Sequence, residues 1–196
     1  MRKSHLLTTG LAYVLLGVFL TIERRLRQGQ AAQSLEAGQF DRKSTRVIGG
    51  SLLISVLGVL LAPGLNLLRR GRTTLPPAAG WLGLGFMVGG ISLRAWANTT
   101  LGAFYTRTLR VTADQQLIEQ GPYRLLRHPG YSGSLLLWLG AGLATANGFV
   151  TAIIALVTGG AYVYRVRSEE AMLAQTFGAA YQAYRRRTWK LLPFIY

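Results

Sequence analysis

The chain has 196 residues, half of them hydrophobic and only 15% charged, which fits one domain, excludes a disordered chain and points to a membrane protein. Cysteine is absent, so disulfides, thiol nucleophiles and thiolate metal ligands are excluded. The net charge of +15, from 22 Lys and Arg against 7 Asp and Glu, suits either nucleic acid or loops at an anionic membrane surface, and the placement of the charges decides between them.

The first apolar run covers residues 5–22 and ends in Glu23-Arg24-Arg25-Leu26-Arg27. Its basic start resembles a signal peptide, but no small-residue cleavage site follows it, so it is read as a retained helix. The second run covers 47–68 with Pro63-Gly64 inside it, and the third covers 77–96 and is rich in Gly and Leu. All three have the roughly 17–25 residues that a spanning helix needs. The Gly85–Gly89 spacing in the third run is that of a close helix–helix contact. Runs four and five, 131–146 and 149–164, are short and separated by Asn147-Gly148, which predicts a helical hairpin. The expectation is therefore an all-α integral membrane protein with about five transmembrane helices, the last two a hairpin. Helices one to three occupy 1–96, and a core over 97–196 joins them in one integrated unit.

The tail from 165 onward continues the fifth helix. Leu173, Phe177, Tyr181 and Tyr184 recur at spacings of four, four and three, so one helical face is apolar. Arg185-Arg186-Arg187 and Lys190 follow. This pattern predicts a C-terminal amphipathic helix lying at the membrane interface. With five crossings the two ends face opposite sides. Placing the C-terminus inside puts 17 of the 22 basic residues in cytoplasmic segments and leaves five outside. That bias predicts the N-terminus outside and the C-terminus cytoplasmic, with Arg69-Arg70-Gly71-Arg72 as the exception. Basic residues spread over several loops argue against nucleic acid as a partner and for membrane lipids.

Two polar clusters interrupt the apolar background. The first is Gly121-Pro122-Tyr123-Arg124-Leu125-Leu126-Arg127-His128-Pro129-Gly130-Tyr131-Ser132-Gly133. Its density of Gly and Pro means a fixed, irregular backbone leading into helix four, either a binding loop or a tight turn with aromatic anchors. The second is Arg165-Val166-Arg167-Ser168-Glu169-Glu170, where Arg165 and Glu169 share a helical face. Ionisable groups at the end of a span either pair with one another or serve a site. Two His and scattered acids give no convincing metal set, so no metal is expected. There is also no P-loop and no dinucleotide fingerprint.

The pattern Gln115-Gln116-Leu117-Ile118-x-x-Gly121-Pro122-Tyr123-x-x-x-Arg127-His128-Pro129-x-Tyr131-x-Gly133 resembles the signature of isoprenylcysteine carboxyl methyltransferases. So does Arg165-x-x-x-Glu169-Glu170-x-x-Leu173-x-x-x-Phe177-Gly178-x-x-Tyr181-x-x-Tyr184, followed by Pro193-Phe194-Ile195. The resemblance covers about residues 90–196. Related membrane enzymes that methylate lipid amines or small thiols share parts of it. It implies S-adenosylmethionine as cofactor, S-adenosylhomocysteine as product, and a lipophilic small-molecule or prenylated acceptor.

Carried over by position, Gln115, Gln116, Leu117, Ile118, Tyr123, His128, Pro129, Gly130 and Tyr131 would contact the cofactor, with Glu169 reaching one of its polar groups. Thr108 falls where the family can use Gln. Arg165 falls where the acceptor is faced, and Arg127 and Glu170 complete the catalytic candidates. Residues 1–89 carry no matching motif. A carboxylate acceptor is already ionised at neutral pH and needs an aligning guanidinium, for which Arg165 offers a two-pronged fork. An amine or thiol would need a base, with His128 or Glu170 as the candidates. Other readings are a phospholipid N-methyltransferase, a thiol S-methyltransferase, or a lipid-binding membrane protein without catalysis.

Overall fold

The computed structural model describes residues 2–26, 38, 40–68, 75–105, 108–109 and 116–194, and among these there are helices and no strand. We number the helices α1 (Arg2–Leu26), α2 (Ser44–Leu68), α3 (Pro77–Leu101), α4 (Pro129–Ala144) and α5 (Gly148–Arg186). Single 3-10 turns lie at Gly102–Phe104 and Gly121–Arg124. The all-α expectation holds. Helices α1, α2, α3 and α5 are each long and apolar enough to cross a membrane. Helix α4 has 16 residues, which is about 24 Å at 1.5 Å per residue, short of the ~30 Å hydrocarbon layer. Among the described residues there are thus five α-helices, four of full spanning length and α4 as the shorter arm of the hairpin.

The core is narrow. Ala12, Val59, Ala62, Met87, Leu137 and Ile154 are fully enclosed, whereas Leu60, Leu61, Leu82, Val88 and Leu156 point outward and are exposed. Apolar side chains on the outside suit lipid as solvent, where helix association rests on close packing rather than on a hydrophobic drive. That packing is closest between α3 and α4. A Cβ placed on Gly90 would lie 2.5 Å from the Gly133 carbonyl oxygen, and one on Gly140 would lie 2.5 Å from the Gly83 oxygen. Two glycines, seven residues apart, on each helix therefore bring the two backbones together. Gly85 and Gly89, the spacing expected to mediate packing, face open space instead. The close contact is thus made by other glycines of α3, seven rather than four residues apart.

The α4–α5 hairpin turns at Asn147, as expected from Asn147-Gly148. Its side chain accepts the Val150 N–H at 3.0 Å, which caps α5, and its amide donates to Asn66 at 2.7 Å. Asn66 in turn donates to the Thr145 carbonyl at 3.1 Å, and the Thr8 hydroxyl donates to the Ala144 carbonyl at 2.8 Å. These partners satisfy the backbone of a turn that is buried rather than solvated.

Helix α5 runs 39 residues and is broken at Gly178, where φ is +50°. Beyond that point the chain folds back onto the Gly121–Arg124 turn. Tyr184 donates to the Tyr123 carbonyl at 2.7 Å, and Leu126 pairs with Trp189 in an isolated β-bridge. Arg127 N–H donates to Trp189 O at 2.7 Å, and His128 N–H to Lys190 O at 3.1 Å. Tyr181 and Tyr184 are buried. The apolar face of the predicted amphipathic segment therefore packs largely on the protein itself, and the segment straps the polar loop in place.

Candidate active site

One cavity of about 280 Å³ opens where α1, α2, α3 and α5 meet the polar loop. Its apolar wall includes Leu52, Leu101, Leu109, Leu117 and Met172, and its polar wall includes Glu23, Arg94, Asn98, Tyr131, Arg165 and Glu169. The loop that delivers His128 and Tyr131 to it is built from local rules. Gly121 has φ +55°, and a Cβ there would lie 2.9 Å from Thr100 Oγ1, so the tight start of the 3-10 turn needs glycine. Pro129 occupies the first turn of α4, where its missing N–H costs nothing. The strap backbone holds Arg127 and His128 from the other side.

The motif arginines and carboxylates separate into two linked groups. In the first, Tyr131 donates to Glu169 Oε2 at 2.5 Å and accepts from Arg165 Nε at 3.1 Å. Arg165 Nη1 donates to Asp41 Oδ1 and Ser44 Oγ, both at 2.8 Å, and to Thr45 Oγ1 at 3.1 Å. The sequence reading gave Arg165 an open fork for the acceptor. The structure instead pairs its charge with Asp41, so one prong is already occupied. Burial would raise the Asp41 carboxyl. The hydrogen bonds from Thr45, the charge of Arg165 and the Ser44 hydroxyl outweigh it and hold the group below the ordinary carboxylate range.

In the second group Arg127 Nε donates to Glu170 Oε1 at 2.8 Å, and its Nη1 donates to the carbonyls of Arg185 and Thr188. Lys190 lies 3.6 Å from the other Glu170 oxygen. This pair locks the strap to the loop. The His128 ring sits 3.9 Å from Glu169 and 3.8 Å from Glu170, and its Nε2 is buried with no hydrogen-bond partner among the described residues. The ring stacks on Tyr131 at 5.7 Å. Tyr123 lines the cavity beside these groups. Burial first, and the Glu169 charge second, push its phenol well above the ordinary range, so it stays a neutral donor.

Of the residues expected at the site, Gln116, Leu117, Ile118, Tyr123, Arg127, His128, Gly130, Tyr131, Arg165 and Glu169 line the cavity. Thr108, Pro129 and Glu170 do not. Thr108 and Pro129 are fully enclosed behind the wall, and Glu170 is turned toward Arg127. Gln115, the Arg69-Arg70-Gly71-Arg72 loop and Ile195 of the closing motif lie outside the described residues.

Sequence reasoning missed Asp41, Glu23, Arg94, Asn98 and Tyr105. Glu23 and Arg94 carried a usable signal, since each is an ionisable residue within a helix long and apolar enough to span. Asp41 carried none.

Residues 78–180, more than half of the chain, match the phospholipid methyltransferase family model. A probable protein-S-isoprenylcysteine O-methyltransferase of Oryza sativa subsp. indica is 36% identical over 117 residues, 59% of this chain and 61% of that protein. The protein-S-isoprenylcysteine O-methyltransferase of Schizosaccharomyces pombe is 31% identical over 114 residues, 57% of this chain and 48% of that one. The matches thus span about half to three fifths of these relatives' length. A solved structure of the eukaryotic intramembrane Ras methyltransferase ICMT (isoprenylcysteine carboxyl methyltransferase) superposes with a TM-score of 0.66 at 19% identity, covering 98% of this chain and 68% of that one. The fold is shared along nearly the whole of this chain.

Proposed function

The chain belongs to the phospholipid methyltransferase family, and on that premise we propose that it is an integral membrane enzyme that methylates the carboxylate of an isoprenylcysteine-like lipophilic acceptor, with S-adenosylmethionine as donor. The observation that carries this is the Tyr131 hydroxyl, which bonds Glu169 and Arg165 at once inside one cavity. It joins the two motif segments at the atoms where donor and acceptor would meet. The names of the relatives support the acceptor class.

The chemistry of the wall fits the cofactor. Glu169 has one oxygen used by Tyr131 and remains partly accessible, which suits a hydroxyl or ammonium group. The His128 ring lies on the same wall, with Nδ1 3.9 Å from Glu169 and Nε2 3.8 Å from Glu170. Gln116, Leu117 and Ile118 supply irregular backbone beside them, and Gly130 the first turn of α4. The cofactor, when bound, supplies a methyl group on a sulfonium, and the protein supplies orientation.

The acceptor carboxylate needs no base. Arg165 would align it, and the leucines and Met172 would exclude water and take an apolar tail. The charge pairing of Arg165 with Asp41 gives weight to a second reading, an amine or thiol acceptor. There His128, whose ring lies between the Glu169 and Glu170 carboxylates, would remove the proton. Because 17 of 22 basic residues fall in the segments around the site, we place that face in the cytoplasm and the N-terminus outside.

The test is methyl transfer from labelled S-adenosylmethionine by the protein in lipid. A farnesylcysteine analogue, a phosphatidylethanolamine and a lipophilic thiol are offered side by side. A base-labile methyl ester on the first is the expected outcome. Transfer to the amine or thiol alone would move the acceptor class. Absence of both transfer and S-adenosylhomocysteine binding would leave a lipid-binding protein without catalysis.

A further inference from the structure

Glu23 of α1 and Arg94 of α3 form a second buried ion pair on the cavity wall. Arg94 Nη2 donates to Glu23 Oε1 at 2.7 Å and Nε to Oε2 at 3.0 Å, in fork geometry. Tyr105 also donates to Glu23 Oε1 at 3.1 Å. Both carboxylate oxygens are occupied and the pair is neutral, so it is poorly suited to binding a charged ligand. The remaining nitrogen points elsewhere. Arg94 Nη1 donates to the Gly130 carbonyl at 3.1 Å and to Ser134 Oγ at 2.8 Å. These groups belong to the first two turns of α4, the segment that brings Gly130 and Tyr131 to the cavity. The same turn is pressed onto α3 at this point, because a Cβ on Gly133 would lie 2.8 Å from Arg94 N.

We propose that Glu23 and Arg94 are positioning residues that clamp the first turn of α4 in the shape that binds the cofactor. The proposal rests on the methyltransferase reading above. It gives α1, which carries no family motif, a part in the site. Glu23 fixes the guanidinium, and the guanidinium fixes the carbonyl of Gly130 and, through it, the ring of Tyr131. A structural ion pair between α1 and α3 would not need the third nitrogen to reach α4.

The test uses Arg94→Gln, Ser134→Ala and the double variant Glu23→Gln/Arg94→Gln in lipid nanodiscs. It reads S-adenosylhomocysteine affinity, acceptor KM, and hydrogen exchange at amides 131–134 without ligand. Arg94→Gln is expected to weaken S-adenosylhomocysteine about tenfold, the loss typical of one charge-assisted hydrogen bond, with acceptor KM within about twofold. Ser134→Ala should give a smaller loss in the same direction. The double variant should regain thermal stability, because no buried carboxylate is left unpaired, without regaining affinity.

Unchanged affinity in Arg94→Gln would overturn the proposal. So would equal loss of cofactor affinity and acceptor KM that tracks the melting temperature. If Arg94→Gln does not fold, Ser134→Ala decides by the same criterion. Absence of S-adenosylhomocysteine binding in the unsubstituted protein would overturn the methyltransferase reading instead. The clamp then stands or falls on whether exchange at 131–134 accelerates in the variants.

Discussion

Arg165 shows how much a residue's role depends on partners far away in the chain. Its position in the motif gave it an acceptor-facing guanidinium, and the cavity wall does include it. Its charge, however, is matched by Asp41, 124 residues earlier. The Asp41 carboxyl is held below its ordinary range, so its contribution to stability is full above the usual carboxylate pKa near 3.9 and is lost as pH falls through the depressed value. Asp41→Asn should therefore lower the melting temperature at pH 7. The gap to the unsubstituted protein should close as pH drops below about 4, as a thermal unfolding series in detergent would read out. A gap that is constant with pH would mean that the carboxylate charge is not what stabilises the loop.

The same geometry separates two neighbours on α5. Glu169→Ala should weaken S-adenosylhomocysteine by about tenfold or more, as expected for a charged hydrogen bond. Arg165→Gln should cut methyl transfer while leaving that affinity near its original value. Equal loss of affinity in both, measured by calorimetry, would reject the division of roles. Arg127, His128, Tyr131 and Glu169 were legible because they lie in compact motifs. Asp41 was not, because its partner lies 124 residues away, and Glu23 stood out only as an ionisable residue in an apolar helix, its partner 71 residues away being unmarked in the sequence.

Hydropathy located the helices well, since a run of apolar residues must have its backbone satisfied within itself when no water is available. It could not fix which face packs. Gly83 and Gly90, not Gly85 and Gly89, meet α4, because the choice depends on the rotation of α3 and not on spacing alone. Gly90→Ala should be destabilising by about 1–3 kcal/mol, as overpacking against backbone atoms generally is. Gly89→Ala should be neutral or slightly stabilising, since it relieves the cost of a helical glycine. A thermal-shift comparison of the two variants checks this, and equal effects would contradict the helix register.

The strap was half legible. Its apolar residues at spacings of four, four and three announced an apolar face, but whether that face meets lipid or protein is a tertiary matter. Tyr184→Phe removes the hydrogen bond to the Tyr123 carbonyl and leaves a buried acceptor with weaker support, so it should raise exchange at residues 123–128 without altering the helices.

At the scale of the molecule, the two ends differ in chemistry. At one end lie Thr8, Asn66, Ala144 and Asn147, linked by neutral hydrogen bonds. At the other lie the cavity and the exposed Arg24, Arg25, Arg42, Lys43, Arg46, Arg124, Arg167, Arg185 and Arg186. Lys and Arg near helix ends favour the cytoplasmic side, each attracted to anionic headgroups. The cavity end is thus the one expected inside, where a soluble cofactor would reach it. The chain lacks cysteine, so single cysteines report topology without a background. Ala78→Cys sits on an exposed position at the end away from the cavity, and Gln182→Cys on an exposed position of the strap. An impermeant maleimide added to right-side-out vesicles should label Ala78→Cys at once, and Gln182→Cys only after permeabilisation. Everted vesicles should reverse the pattern. Labelling of Gln182→Cys from the outside would place the cavity on the outer face, and the basic end would then have to be explained by anionic lipid of that leaflet rather than by insertion.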